Sequence, residues 1–219
     1  MSYIDALYKK DEDRIYVVER DPKKGRVFVE YDARYVFYYP DARGKHRSMT
    51  GEPLQRVVCQ TNKGFIKEQR IRSNKQLYEH DINPVFRCLE ENYLGKETPK
   101  LNVMFFDIEV DFDPDRGYST TDDPFMPITA ISCYMSWTDQ LVTLALPPKS
   151  LPMQEAKALT ERFENVMLFD KEKDMLDAFL QLIEDADIIS GWNSEGYDIP
   201  YTVGRIQKVL SGDDTRRLC

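Results

Sequence analysis

Histidine is scarce in this sequence. His46 and His80 are the only two in 219 residues, a poor supply for an imidazole-rich metal site or a Ser-His-Asp arrangement. Cysteine is no better placed: Cys59, Cys88, Cys133 and Cys219 lie far apart with no CxxC pair. That spacing argues against a zinc site and against a disulfide framework, and it fits a reducing compartment such as the cytoplasm. No apolar run reaches the roughly 18 residues that a membrane span needs. The start, Met1-Ser2-Tyr3-Ile4-Asp5, has neither a basic n-region nor an apolar h-region, so no export and no membrane partner are expected. Repeats and low-complexity segments are missing too. Any catalysis has to draw on carboxylates.

Charge is what the chain has in quantity. Charged residues make up 31% of it and mean hydropathy is −0.55, while 42% apolar content still supports a core of one or two domains. The net charge of −8 is unevenly spread. Residues 1–100 hold 20 Lys and Arg against 16 Asp and Glu, a balance of +4; residues 101–219 hold 10 against 22, a balance of −12. A linker-like stretch, Gly95-Lys96-Glu97-Thr98-Pro99-Lys100, lies at the change. The expected organisation is a β-rich domain over 1–98 and a second domain over 99–219. An acidic domain does not attract phosphate by its own field, but it can bind divalent cations that bridge to phosphate.

In the first domain, Ile15–Val18, Arg26–Tyr31 and Tyr35–Tyr39 read as strands separated by turn-formers, and Pro84 opens a short helix ending at Gly95. In the second, Leu101–Val110, Pro127–Met135 and Leu141–Leu146 read as strands, and Met153–Phe163 as a helix. Met175, Leu176, Phe179, Leu180 and Ile183 mark another helix over Lys171–Asp185 by their 3.6 period. Ile188–Trp192 is expected as a short buried strand, and a last helix from about Pro200 as capped by Gly212. This order predicts an α/β (α+β) domain, a mixed sheet with helices on its faces.

Two carboxylates stand out. Asp107 and Glu109 are two residues apart in the strand Val103-Met104-Phe105-Phe106-Asp107-Ile108-Glu109-Val110. Side chains alternate along a strand, so both acids share one side while Phe106, Ile108 and Val110 take the other. Like charges so close repel, and a hard divalent cation with oxygen ligands removes that cost. The bland alternative is a solvent-facing edge of a half-buried strand. A second element, Gly191-Trp192-Asn193-Ser194-Glu195-Gly196-Tyr197-Asp198-Ile199-Pro200-Tyr201, places Asn193 and Asp198 in a turn between a strand and a helix, where Asp198 alone is a candidate helix cap.

Together these elements resemble a known family. Phe106-Asp107-Ile108-Glu109 looks like the first exonuclease motif of the family B DNA polymerases. Trp192-Asn193-x-x-x-Tyr197-Asp198-x-Pro200-Tyr201 looks like the second, with Tyr197 where Phe is more usual. Their spacing of about ninety residues suits the family, and Leu77–Arg87 resembles the segment that precedes the exonuclease domain. The whole chain looks like the N-terminal and exonuclease regions, most like the bacteriophage branch.

The resemblance implies a ribonuclease H-like fold and 3′→5′ proofreading of DNA with two Mg²⁺ or Mn²⁺ ions. Asp107 and Glu109 become metal ligands, with Asp107 shared between the ions; Asp198 holds the second ion, and Asn193 and Tyr197 support the site or the terminal nucleotide. The implied partner is single-stranded DNA or a primer 3′ end, in the cytoplasm of an infected bacterial host. The third exonuclease motif, a Tyr followed three residues on by the last catalytic Asp, has no match after Asp198, and neither have the palm motifs. An excised piece, or one half of a split polymerase needing a second chain, is therefore expected, with polymerisation excluded.

Two weaker signals remain. Asp111–Gly117 is superficially like a calcium loop, but Arg116 stands where the EF-hand glycine belongs, so an acidic mobile loop is the simpler expectation. Residues 34–76 hold ten basic side chains (among them Arg43, Lys45, Arg47 and Arg56) interleaved with Tyr35, Phe37, Tyr38, Tyr39 and Phe65. That pattern fits a noncatalytic module for single-stranded DNA or RNA, or a solvated charged face over an aromatic core.

Overall fold

In the N-terminal half the runs Ile15–Val18 and Arg26–Tyr31 pair with each other, and the aromatic run Tyr35–Tyr39 pairs across a longer connection with residues 55–59. The structure, a computed structural model, describes residues 2–218 and divides into two units, Met1–Lys100 and Leu101–Cys219. In the first, β1 (Ser2–Lys9), β2 (Arg14–Asp21) and β3 (Gly25–Asp32) form an antiparallel sheet. Gly25, at φ +74°, makes the β2–β3 turn in a conformation that L side chains avoid. A second sheet has the order β4-β6-β5, from β4 (Tyr35–Pro40), β5 (His46–Arg47) and β6 (Pro53–Cys59). Two helices follow, α1 (Asn62–Ile71) and α2 (Pro84–Tyr93). In α2, Pro84 opens the first turn and the Asn83 side chain accepts the Val85 N–H at 3.0 Å.

Part of the aromatic interleaving is core. Tyr35 and Phe37 are buried, and the Phe65 ring packs on both. Tyr39 carries Arg72 and Lys75 over its ring, at 4.9 and 4.5 Å. Of the two readings of this segment, Tyr35 and Phe37 follow the aromatic core and not the stacking platform. Alternation along β4 turns Tyr35 and Phe37 to one face, and burying both rings is worth more than exposing them.

In the second unit β7 (Val103–Val110) is followed by a small hairpin, β8 (Phe112–Asp113) and β9 (Gly117–Tyr118). Then come β10 (Ile128–Met135), β11 (Gln140–Ala145), α3 (Met153–Thr160), β12 (Val166–Leu168), α4 (Glu172–Leu182), β13 (Ile188–Ser190) and α5 (Asp198–Val209). The main sheet is mixed, in the order β12-β11-β10-β7-β13. The middle three strands run antiparallel and the two outer pairings are parallel. Its core joins Met104, Phe106 and Ile108 of β7 to Ile131 and Cys133 of β10, Met175, Leu176, Phe179 and Leu180 of α4, and Tyr201 and Ile206 of α5.

Several expectations change in detail. β13 ends at Ser190 and is not buried: with a partner on one side only, Ile188 and Trp192 are exposed. Gly212 does not cap α5, which ends at Val209 with Leu210 as its cap residue. The Asp111–Gly117 segment takes the form of a hairpin. Asp113 accepts the Asp115 and Arg116 amides at 2.9 Å, which holds its carboxyl below the usual range and occupies it in the turn.

Candidate active site

The period of β7 decides where its acids go. Met104, Phe106 and Ile108 are buried, whereas Asp107 and Glu109 are exposed on the opposite face beside Phe105. That face continues across β10, where Ser132 stands opposite Asp107 and Tyr134 opposite Phe105. The Phe105 and Tyr134 rings stack 6.5 Å apart.

Asp198 reaches the same strand from the other motif. β13 pairs with β7 only as far as Ser190 opposite Phe105, so the next inward amides of β7 lose their ladder partner. The Asp198 carboxylate substitutes for one of them, accepting the Ile108 N–H at 3.2 Å. Close approach is needed here. A side chain on Gly191 would strike the Phe106 carbonyl, so glycine lets the chain turn away directly against β7.

The turn that follows is held by Asn193 at φ +54°, whose carbonyl accepts the Gly196 and Tyr197 amides at 2.9 and 3.0 Å. Asparagine tolerates this left-handed conformation better than most residues. Tyr197, half-buried, stacks on Tyr201 with ring centroids 5.4 Å apart. Asp198 is not the helix cap that its position alone allowed. The cap residue is Tyr197, and Asp198 is the first residue of α5, near the positive end of the helix dipole.

Asp198 is only 5% exposed. Burial pushes its carboxyl above the usual 3.8. The Ile108 N–H pulls it back down, and the Asp107 charge nearby adds to the rise. Asp107 and Asp198 are thus within electrostatic reach of one another. Glu109 shares the face of Asp107 but is not among the groups that shift Asp198. Among the described residues, no three His, Cys, Asp or Glu side chains converge as a ready metal cluster. The donor set still suits a hard cation: a buried carboxylate held by neutral backbone N–H groups alone, with a second acid beside it.

Arg205 and Glu172 escape a motif-based reading. They form a buried ion pair, in which Glu172 also accepts the Ile128 N–H at 2.9 Å. The Arg205 guanidinium further donates to the Pro124 carbonyl at 2.9 Å and the Phe125 carbonyl at 3.3 Å. Tyr201 OH donates to the Met126 carbonyl at 2.8 Å. Together they tie α5, and with it Asp198, to the β9–β10 connection and α4. An arginine on the apolar face of α5 was the available signal. The four basic residues singled out in the N-terminal unit differ in setting: Arg43 and Lys45 are exposed, Arg47 donates to the Gly51 carbonyl at 3.2 Å, and Arg56 is half-buried.

Comparison with known proteins now decides the family. Residues 59–218 match the family model described as DNA polymerase family B, exonuclease domain. The chain belongs to that family. It is 26% identical over 214 residues to a DNA-directed DNA polymerase of Escherichia phage RB69, covering 87% of this chain and 24% of the relative. It is 33% identical over 117 residues to the DNA polymerase catalytic subunit of Saimiriine herpesvirus 2, covering 52% and 11%. It is 30% identical over 162 residues to the DNA polymerase delta catalytic subunit of Plasmodium falciparum, covering 68% and 13%. The chain therefore spans about a quarter or less of the length of these relatives. Among its described residues no helix is long and apolar enough to cross a membrane.

Proposed function

We propose that this chain forms the N-terminal and exonuclease part of a replicative family B DNA polymerase, with a ribonuclease H-like sheet that removes 3′-terminal nucleotides from DNA. The observation that carries this is the juxtaposition of Asp198 with Asp107 at the point where β13 leaves β7. Asp107, Glu109 and Asp198 are the residues that would hold two divalent cations, Mg²⁺ or Mn²⁺. When bound, such cations lower the pKa of an attacking water and stabilise the leaving 3′ oxygen.

The chain's own residues prepare that chemistry. Asp107 and Glu109 present their oxygens from a strand paired on both sides, which fixes them more closely than a loop does. Asp198 comes from a helix anchored by Arg205, and its raised pKa records a negative charge lacking compensation. Asn193 shapes the turn beside the carboxylates, and Tyr197, stacked on Tyr201, offers a ring edge to the terminal nucleotide. Hydrolysis leaves a 5′-phosphate on the released nucleotide and a 3′-hydroxyl on the shortened strand. The relatives are named as DNA polymerases, which favours DNA; RNA and a second polymerase chain, the other partners expected, gain no support from them.

The test is 3′ trimming of single-stranded DNA in Mg²⁺ by a polymerase carrying residues 1–219. Asp107→Ala is expected to reduce the rate by at least about a hundredfold while DNA binding persists. Trimming at an undiminished rate would remove the assignment.

A further inference from the structure

The outward side of α1 carries charge that the rest of the fold does not use. At 100° per residue, Lys63, Lys67 and Arg70 fall within a stripe roughly 60° wide, opposite Phe65, which anchors the helix to Tyr35 and Phe37. All three are exposed, and none has an ion-pair partner among the described residues. The acid on this helix, Glu68, points elsewhere and pairs with Arg72 at 2.5 Å. The stripe borders a shallow depression of about 720 Å³ lined by no acidic residue, where Ile66 and Ile71 are also exposed.

We propose that this face of α1 is a binding track for single-stranded nucleic acid, separate from the carboxylate site. Three unpaired cations spread over about 10 Å of helix span roughly three consecutive phosphates of a stacked strand. Ile66 and Ile71 lie beside them as apolar surface for unpaired bases, which a duplex keeps inside. The exonuclease unit carries a balance of −12 and without bound cations repels phosphate, so metal-independent attraction has to come from elsewhere. An anionic membrane is the poorer match. An interfacial helix presents a broad apolar face, and α1 offers two isoleucines.

The experiment uses the full 219-residue chain in EDTA, so that cleavage and metal binding play no part. Fluorescence anisotropy of a labelled oligothymidylate of roughly 20 nucleotides is followed against salt. The triple variant Lys63→Gln, Lys67→Gln, Arg70→Gln is expected to bind about tenfold or more weakly at low salt. Its slope of log affinity on log salt falls by about 2, from three contacts at roughly 0.7 each. Lys67→Gln alone lowers the slope by about 0.7 and guards against a folding effect of the triple change. The triple variant Arg43→Gln, Lys45→Gln, Arg47→Gln is expected to lose less. Unchanged affinity and slope in both α1 variants would overturn the proposal. So would an equal or larger loss from the Arg43, Lys45 and Arg47 variant, or α1-dependent capture by phosphatidylserine vesicles without oligonucleotide binding.

Discussion

The two units treat buried acids in opposite ways. In the N-terminal unit Glu19 is 5% exposed, and the Tyr93 hydroxyl donates to it at 2.6 Å, with Tyr31 in contact with Tyr93 at 3.0 Å. Asp13 likewise accepts from Tyr35 and from the Asn62 amide. In the C-terminal unit Glu172 is neutralised by Arg205, but Asp198, also buried, has only neutral backbone N–H groups and a neighbouring acid. Satisfied acids of the first kind hold the fold together. An acid left short of partners in a well-packed core is where a ligand is to be sought.

The strongest break in that contrast is Arg205→Ala. It leaves Glu172 buried and unpaired, and urea unfolding of the C-terminal unit is expected to show a loss of about 3–5 kcal/mol. Tyr93→Phe removes the phenol from Glu19 and costs about 1–3 kcal/mol, read in the unfolding of the N-terminal unit. Asp198→Asn does the reverse of both: stability at neutral pH stays equal or rises slightly while divalent-cation binding is lost. The sign follows from the raised carboxyl. Between 3.8 and the folded value the native state holds more protons than the unfolded one, so stability falls as pH rises through that window and levels off above it. Melting curves from pH 3 upward check this (the pH range being about that of the carboxylate titration), and Asp198→Asn should flatten the fall.

Much of the frame was legible because its signals are local. The two-residue alternation of β7 set Asp107 and Glu109 apart from Phe106 and Ile108, and the 3.6 period of α4 named its buried face. β6 and α1 were not foreseen. α1 buries none of its residues fully and so shows no apolar stripe, and β12 is only three residues long. The edge position of β13 was invisible too, because its apolar composition resembles that of a buried strand. The meeting of Asp198 with β7 depends on contacts about ninety residues apart; only the family resemblance pointed to it. Arg205 was overlooked because a lone arginine on an apolar helix face gains meaning only when Glu172 and the Pro124 carbonyl are seen around it.

The central claim is that Asp107 and Asp198 act together on a divalent cation. Titrating Mn²⁺ into the labelled chain while recording amide NMR signals tests it directly, since a paramagnetic ion broadens only nearby groups. Signals of Asp107, Ile108 and Asp198 should vanish first, and Asp198→Asn should prevent the effect. Broadening that spares Ile108, or that survives Asp198→Asn unchanged, would contradict it.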